Sequence, residues 1–522
     1  MLLNKADFKP GRLIRLAAAF LLVMSLSAGT VCSANAFASE AVSSPAESKD
    51  MDINAFAEAL GSIEGISDVS VTQGGSVLAY IEQPLDWQSD TGMTFKQKFI
   101  VTYKGSEQPT SYEIGGYSIL YSFSMMSLYP ADYTHNAVDI EYRFFGESVP
   151  EGLDSDSADL WEFLTVENAA EDFHALITKL STLLTGKRMV TGVSKGGFTT
   201  NVQAYKHPED ADLFLSFCAP LCDSLTDSRM YEFLNYSVGD DVLPEGEGEH
   251  LRSLITDFQL ECIRYEDDLK VRYKEMALEE AKDGEKDYRS WLLEDDGAKL
   301  YETAVADMQG AVWMAQGGGG GAAYESAEGM SSTFGTVVSM PAETPEEIQL
   351  KEDAVFELLS SISFPTSYTC SLDQIMLPYC MQSAMQMGNY AVDLTPLRER
   401  MAEERERDPA FPDLSISTEE EKNLMLLTYL TEEQLEMAEG FELVHDELVE
   451  WEQTTTANVV MVFGGVDPWL AVAIPECDNP NVKRVLVKSS EYYDMIGHSC
   501  SVPFFDSETQ DIIYGELDKL IS

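Results

Sequence analysis

The chain of 522 residues reads as an α/β protein whose mostly parallel sheet is interrupted by a large helical insertion. Three observations predict this. Strand-like and helix-like segments alternate through residues 76–223, as they do in a parallel sheet covered by helices. Residues 224–455 are acidic, rich in Leu, Met and Glu, and helical by pattern, and strand patterns resume from residue 456. The third observation is a junction: an apolar strand (187–191), then Gly192-Val193-Ser194-Lys195-Gly196, then a helical segment (198–205). Strand, Gly-x-Ser-x-Gly, helix is the nucleophile elbow, a turn too tight for side chains at its glycines, which lifts the serine oxygen clear of the sheet. The expected architecture is therefore an α/β-hydrolase fold with a large helical cap inserted between the nucleophile half and the acid/histidine half.

The elements follow in order. Residues 1–38 read as a secretion signal, with Lys5, Lys9, Arg12 and Arg15 ahead of a short apolar core and Ala36-Phe37-Ala38 as the cleavage site. Cys32 offers a lipoprotein alternative, disfavoured by the Val31 before it. Residues 39–75 hold a polar leader and the first elements. The first half of the core, 76–223, has strands near 77–82, 94–103, 112–114 and 137–142, a helix over 167–184, the elbow, and a strand over 211–217. In the cap, Ser417-Thr418-Glu419-Glu420 and Thr431-Glu432-Glu433-Gln434 are capping boxes that open helices, and 317–321 is an unbroken glycine run. The second half, 456–522, has strands over 458–465 and 482–487 and a final helix over 506–520.

Ser194 needs a base, and the chain has only 6 histidines. In this fold the acid and then the histidine follow the serine along the chain. His207 is too close to the elbow, and His250 and His445 lie in acidic helical stretches. His498, in a loop after the last strand, is the candidate. Asp467 stands at the carboxyl end of the 458–465 strand, placed to orient His498, with Asp478 and Asp494 as competitors. The oxyanion hole is expected from the backbone N–H of Lys195 and of Gly116 or Tyr117, which follow the 112–114 strand.

The net charge of −56 argues against nucleic acid and anionic membranes as partners. No run after the signal is long and apolar enough to span a bilayer, so a soluble extracytoplasmic protein is expected. Of the 8 cysteines, Cys477 and Cys500 flank the late catalytic loops and are a candidate bridge. Cys370 and Cys380 are another, and Cys218 and Cys222 follow a strand. No spacing resembles a metal site, and no cofactor is expected. Nothing in the sequence addresses oligomeric state.

The residues 141–150 (EYRFFGESVP), 163–174 (FLTVENAAEDFH), the Ser194-Lys195-Gly196-Gly197 elbow, and the late Phe463-Gly464-Gly465-Val466-Asp467-Pro468-Trp469 and Gly497-His498 together resemble the secreted bacterial tripeptidyl aminopeptidases. These are serine peptidases distantly similar to the lysosomal Pro-Xaa carboxypeptidase. The likeness runs over about 80–222 and 459–502 and is weak through the cap. Lys195 replaces the tyrosine usual in the lysosomal relatives, and Tyr142-Arg143-Phe144-Phe145 departs from the family's His-Arg-Tyr-Phe. The resemblance implies release of tripeptides from peptide or protein substrates with a free amino terminus. A lipase or carboxylesterase of the same fold is the alternative, and a non-catalytic binding protein on this scaffold another. An exopeptidase must face the substrate ammonium with carboxylates. Glu141 and Glu147 are the candidates, with a structural ion pair to Arg143 or contact with a nearby amide as their alternative role.

Overall fold

A computed structural model describes residues 51–521 apart from 90, 120–132, 152–157, 282–287, 318–323, 325 and 369–375. The signal and leader (1–50) with Cys32, most of the glycine run and Cys370 lie outside the described residues.

One sheet of nine strands organises the protein. In chain order they are β1 (Ile66–Val71), β2 (Val77–Pro84), β3 (Thr94–Thr102), β4 (Thr110–Ile114), β5 (Asn136–Ile140), β6 (Arg188–Val193), β7 (Leu213–Phe217), β8 (Val459–Gly464) and β9 (Val482–Val487). Their spatial order is β1-β2-β3-β5-β4-β6-β7-β8-β9. The β1–β2, β2–β3 and β3–β5 pairs are antiparallel, and every pair from β5 to β9 is parallel. The exchange of β4 and β5 and the elbow after β6 mark the α/β-hydrolase arrangement. The strand β1 is an added edge, within the 39–75 stretch read as leader and first elements; its burial is confined largely to Ile66, so it carries no alternating pattern to read.

The central strands β6, β7 and β8 are buried almost throughout, which is why they read as continuous apolar runs. Helices α1 (Ile53–Gly61), α2 (Val166–Leu180) and α3 (Lys195–Lys206) share one core with one face of the sheet. Thr165 caps α2 by accepting from Asn168 N–H.

From residue 224 to 455 the described residues are helical, joined by short 3₁₀ and π turns and two isolated bridges. Both capping boxes form, at Ser417 with Glu420 and at Thr431 with Gln434. The principal cap helices are α4 (Glu247–Arg264), α5 (Ala298–Ala306), α6 (Met308–Met314) and α7 (Pro345–Ile362). Their apolar core also takes in Val466, Trp469, Val472 and Met495 from the acid and histidine loops. The cap is therefore packed on those loops. The last helix, α8 (Ser507–Ile521), covers the opposite face of the sheet through Ile513, Leu517 and Leu520. No helix of the described residues is long and apolar enough to cross a membrane.

The cysteines correct the sequence reading. Cys477 and Cys500 are both free thiols, as are Cys218, Cys222, Cys262 and Cys380. Cys477 Sγ approaches Glu452 O at 3.7 Å, and Cys500 packs into the core beneath β8 and β9. Flanking two loops in sequence did not bring the thiols together.

Candidate active site

The site is built at the carboxyl ends of β4, β6, β7 and β8. Ser194 takes φ 59° and ψ −124°, a conformation costly for a side chain bearing a β-carbon. Backbone contacts impose it. Ser194 N–H donates to Phe217 O at 2.9 Å, and Phe198 N–H donates to Ser194 O at 2.9 Å. A β-carbon on Gly192 would lie 2.4 Å from Gly196 O, and one on Gly196 would lie 2.5 Å from Ile114 O. The glycine spacing is thus a steric requirement of strand and helix meeting this closely. Ser194 keeps solvent access while Lys195 to Gln203 behind it are buried.

Asp467 is fully buried, and both its carboxylate oxygens lie 3.2 Å from His498 Nδ1. A carboxylate only accepts, so Nδ1 carries the proton and Nε2 is left as the acceptor. Trp469 N–H holds the carboxylate from the other side at 3.1 Å. The two loops are latched together: Val466 N–H donates to Ile496 O at 3.0 Å and Gly465 N–H to Val487 O at 2.7 Å. Glycines permit that approach, since a β-carbon on Gly464 would lie 1.9 Å from Gly497 O. The cap adds to the clamp, with His498 N–H donating to Met314 O of α6 at 2.9 Å.

Cys218, at the end of β7 with φ 50°, lies beside this pair. Its thiol reaches Ser499 O at 3.6 Å. Burial and the neighbouring Asp467 hold the thiol well above its usual pKa, so it stays protonated and can donate. The sequence showed a cysteine after a strand but gave no sign of this contact.

The Gly115–Tyr117 loop lies against the elbow. Gly116 has φ 71°, and a β-carbon there would lie 2.8 Å from Gly196 N. The Lys195 side chain turns back under this loop. Its Nζ donates to Gly116 O at 2.5 Å and lies 3.2 Å from the Tyr142 ring centroid, with the Phe145 and Tyr117 rings at 4.8 and 5.6 Å. Desolvation without a facing carboxylate holds this amine well below its ordinary pKa. Lys195 thus ties the loop of the expected second oxyanion donor to the elbow.

The structure gives Glu141 and Glu147 local partners. Buried Glu141 accepts from Ser148 Oγ at 2.8 Å, Glu147 N–H at 2.9 Å and Ile119 N–H at 3.1 Å. Glu147 pairs with Lys98 and accepts from Tyr80 Oη at 2.6 Å. Arg143 uses neither: it forms a fully buried fork with Asp172, Nε–Oδ2 2.7 Å and Nη2–Oδ1 2.9 Å. The resemblance motif at 141–148 is thus bonded both within itself and to β2, β3 and α2.

Among the described residues, two clusters bring metal-binding atom types within 4.8 Å of one another: Cys218, Asp467 and His498, and His174, His207 and Glu209. In the first, the ring nitrogen facing Asp467 carries a proton and the thiol is held protonated. In the second, the imidazoles stack with centroids 4.0 Å apart and planes 10° apart, so their in-plane lone pairs do not converge. Neither is arranged to hold an ion.

Residues 46–280 match the family described as PS-10 peptidase S37. The prolyl tri/tetrapeptidyl aminopeptidase of Streptomyces mobaraensis is 25% identical over 313 residues, which is 60% of this chain and 56% of the relative. The chain therefore spans little more than half the length of that relative. Among solved structures, proline iminopeptidase of Mycobacterium smegmatis is similar with a TM-score of 0.32 and 13% identity, over 85% of this chain and 99% of that one. A putative lipase from Acinetobacter baumannii has a TM-score of 0.27 and 10% identity, over 91% and 98%. Scores this low carry no argument, and the fold assignment rests on strand order and the elbow.

Proposed function

We propose that this chain, whose residues 46–280 match the PS-10 peptidase S37 family, is a secreted serine exopeptidase that releases short peptides, tripeptides in the main, from free amino termini. The observation that carries the reading is the buried Asp467–His498 pair at the carboxyl end of the same sheet that holds strained Ser194. Ser194 Oγ attacks the scissile carbonyl as His498 Nε2 takes its proton. Asp467 keeps the proton on Nδ1 and stabilises the imidazolium. Lys195 N–H and the Gly116/Tyr117 loop receive the oxyanion. The imidazolium then protonates the leaving amine, and water, activated by the same histidine, releases the acyl group. No metal or cofactor enters this scheme.

The signal-like residues 1–38 support secretion, and the name of the Streptomyces relative supports tripeptide release. The test is covalent labelling by a fluorophosphonate. Folded wild-type protein is expected to label, and Ser194→Ala protein is not. Absence of labelling in folded wild type ends the reading, and a strong preference for long-chain p-nitrophenyl esters over tripeptidyl amides turns it to a lipase.

A further inference from the structure

The peptidase reading leaves one demand unmet. A free-amine substrate brings an ammonium into a closed cleft, and Glu141 and Glu147 are held by other groups. One acid in the cap is not. Asp307 sits between α5 and α6, deep within the cap yet retaining solvent-accessible surface. Its described hydrogen-bond partner is a phenol, Tyr390 Oη at 3.3 Å. Among the described residues no Lys, Arg or His pairs with it. It stands at the N-cap of α6 but makes no side-chain cap bond, the ordinary structural task of an aspartate there. Burial with only this phenol against it pushes its carboxyl up to about 7.

Its surroundings lead back to the nucleophile. The Tyr390 ring packs edge-on to Trp469 at 5.7 Å and stacks with Tyr231 at 6.0 Å. Trp469 N–H is the donor that holds Asp467. The phenol of Tyr379 is near enough to help raise the pKa of Tyr390, and the Tyr379 ring lies 6.0 Å from that of Tyr117 in the elbow-facing loop. Ser194, Tyr379, Tyr390 and Asp307 all keep partial solvent exposure inside the fold. The other end of α6 carries the carbonyl that accepts from His498 N–H. From Asp307 to Met314 the helix rises about 10 Å, close to the span of three extended residues.

We propose that Asp307 binds the free α-ammonium of the peptide substrate at the end of a tyrosine-walled cleft that begins at Ser194. The inference rests on the exopeptidase reading and names its specificity residue. The ammonium supplies the countercharge the buried carboxylate lacks. A carboxylate at a fixed distance from the nucleophile also sets how many residues are released.

The experiment uses the mature full chain, wild type and Asp307→Asn, with a tripeptidyl p-nitroanilide and its N-acetyl counterpart. Asp307→Asn is expected to raise KM for the free-amine substrate by about tenfold or more, with kcat nearly unchanged. KM for the acetylated compound, or its inhibition constant if it is not cleaved, stays as in wild type. The free tripeptide product raises the Tm of wild type and not of the variant. Fluorophosphonate labelling of Ser194 proceeds at the wild-type rate in both, showing that the variant is folded and its nucleophile competent. Equal losses on both compounds, or no change on either, with labelling intact overturns the role of Asp307 alone. Failure of wild type to label, or its ready cleavage of the acetylated substrate, overturns the exopeptidase reading and this inference with it.

Discussion

Two buried acids divide the molecule. Asp172, in the sheet domain, is held by both prongs of Arg143, whose Nη1 donates to Leu85 O at 2.9 Å and Phe163 O at 2.7 Å. Asp307, in the cap, has one long bond to a phenol and no facing cation among the described residues. Desolvating a charge costs several kcal/mol unless it is matched, so a chain selected only to fold matches its buried charges, as at Asp172. An unmatched one reduces stability and persists where something outside the chain completes it. The contrast separates a brace, which ties the 141–148 loop to α2, from the proposed ammonium site.

The comparison is broken most severely from the paired side. Arg143→Met leaves Asp172 buried and uncompensated, and is expected to lower folding stability by about 3–5 kcal/mol, read by chemical denaturation. Adding Asp172→Leu to that variant should recover part of the loss. A single variant as stable as wild type would mean the fork is no brace. Glu141 belongs to the same class. Glu141→Gln exchanges one acceptor oxygen for an amide group facing N–H donors, at a cost of about 1–3 kcal/mol. It should leave the ratio of KM values for free and acetylated substrates unchanged. A selective rise for the free-amine substrate would restore Glu141 as an ammonium contact.

The smallest effect, and the sharpest, comes from pH. The carboxyl of Asp307 is raised from an ordinary 3.8 to about 7. The folded state thus binds its proton more tightly than the unfolded chain does. The stability this contributes is fully present below about pH 4 and is lost as pH rises through about 7. The groups facing it are the phenols of Tyr390, Tyr231 and Tyr368, which stay neutral across that window. Glu266 and Glu452 are also raised to about 7, so wild type alone cannot isolate the effect. The difference in Tm between wild type and Asp307→Asn can: the variant gains on wild type by roughly 1–4 °C between pH 4 and pH 8. A difference that is flat with pH would show that Asp307 already has a partner.

What was legible in the sequence follows the same division. The elbow was readable because its glycines are demanded locally, by strand and helix a few residues apart. The contact between Asp467 and His498 was readable because each follows a strand end, where this fold presents loops. Both capping boxes were readable because the capping contacts lie within one turn. Asp307 was not, because it is one acid among many in a helical stretch and its partner Tyr390 lies 83 residues further on. The Lys195 amine escaped for a related reason: its aromatic box is assembled from Tyr117, Tyr142 and Phe145 of other loops. The bridge between Cys477 and Cys500 failed because flanking a site in sequence does not fix where two side chains meet.

The central claim is that this serine site acts on chains from a free amino terminus. Mass spectrometry of the products from one unstructured peptide, offered with a free and with an acetylated amino terminus, tests it most directly. The account predicts short amino-terminal fragments, mainly tripeptides, from the free peptide and an intact acetylated one. Internal fragments, or equal cleavage of both, would contradict it.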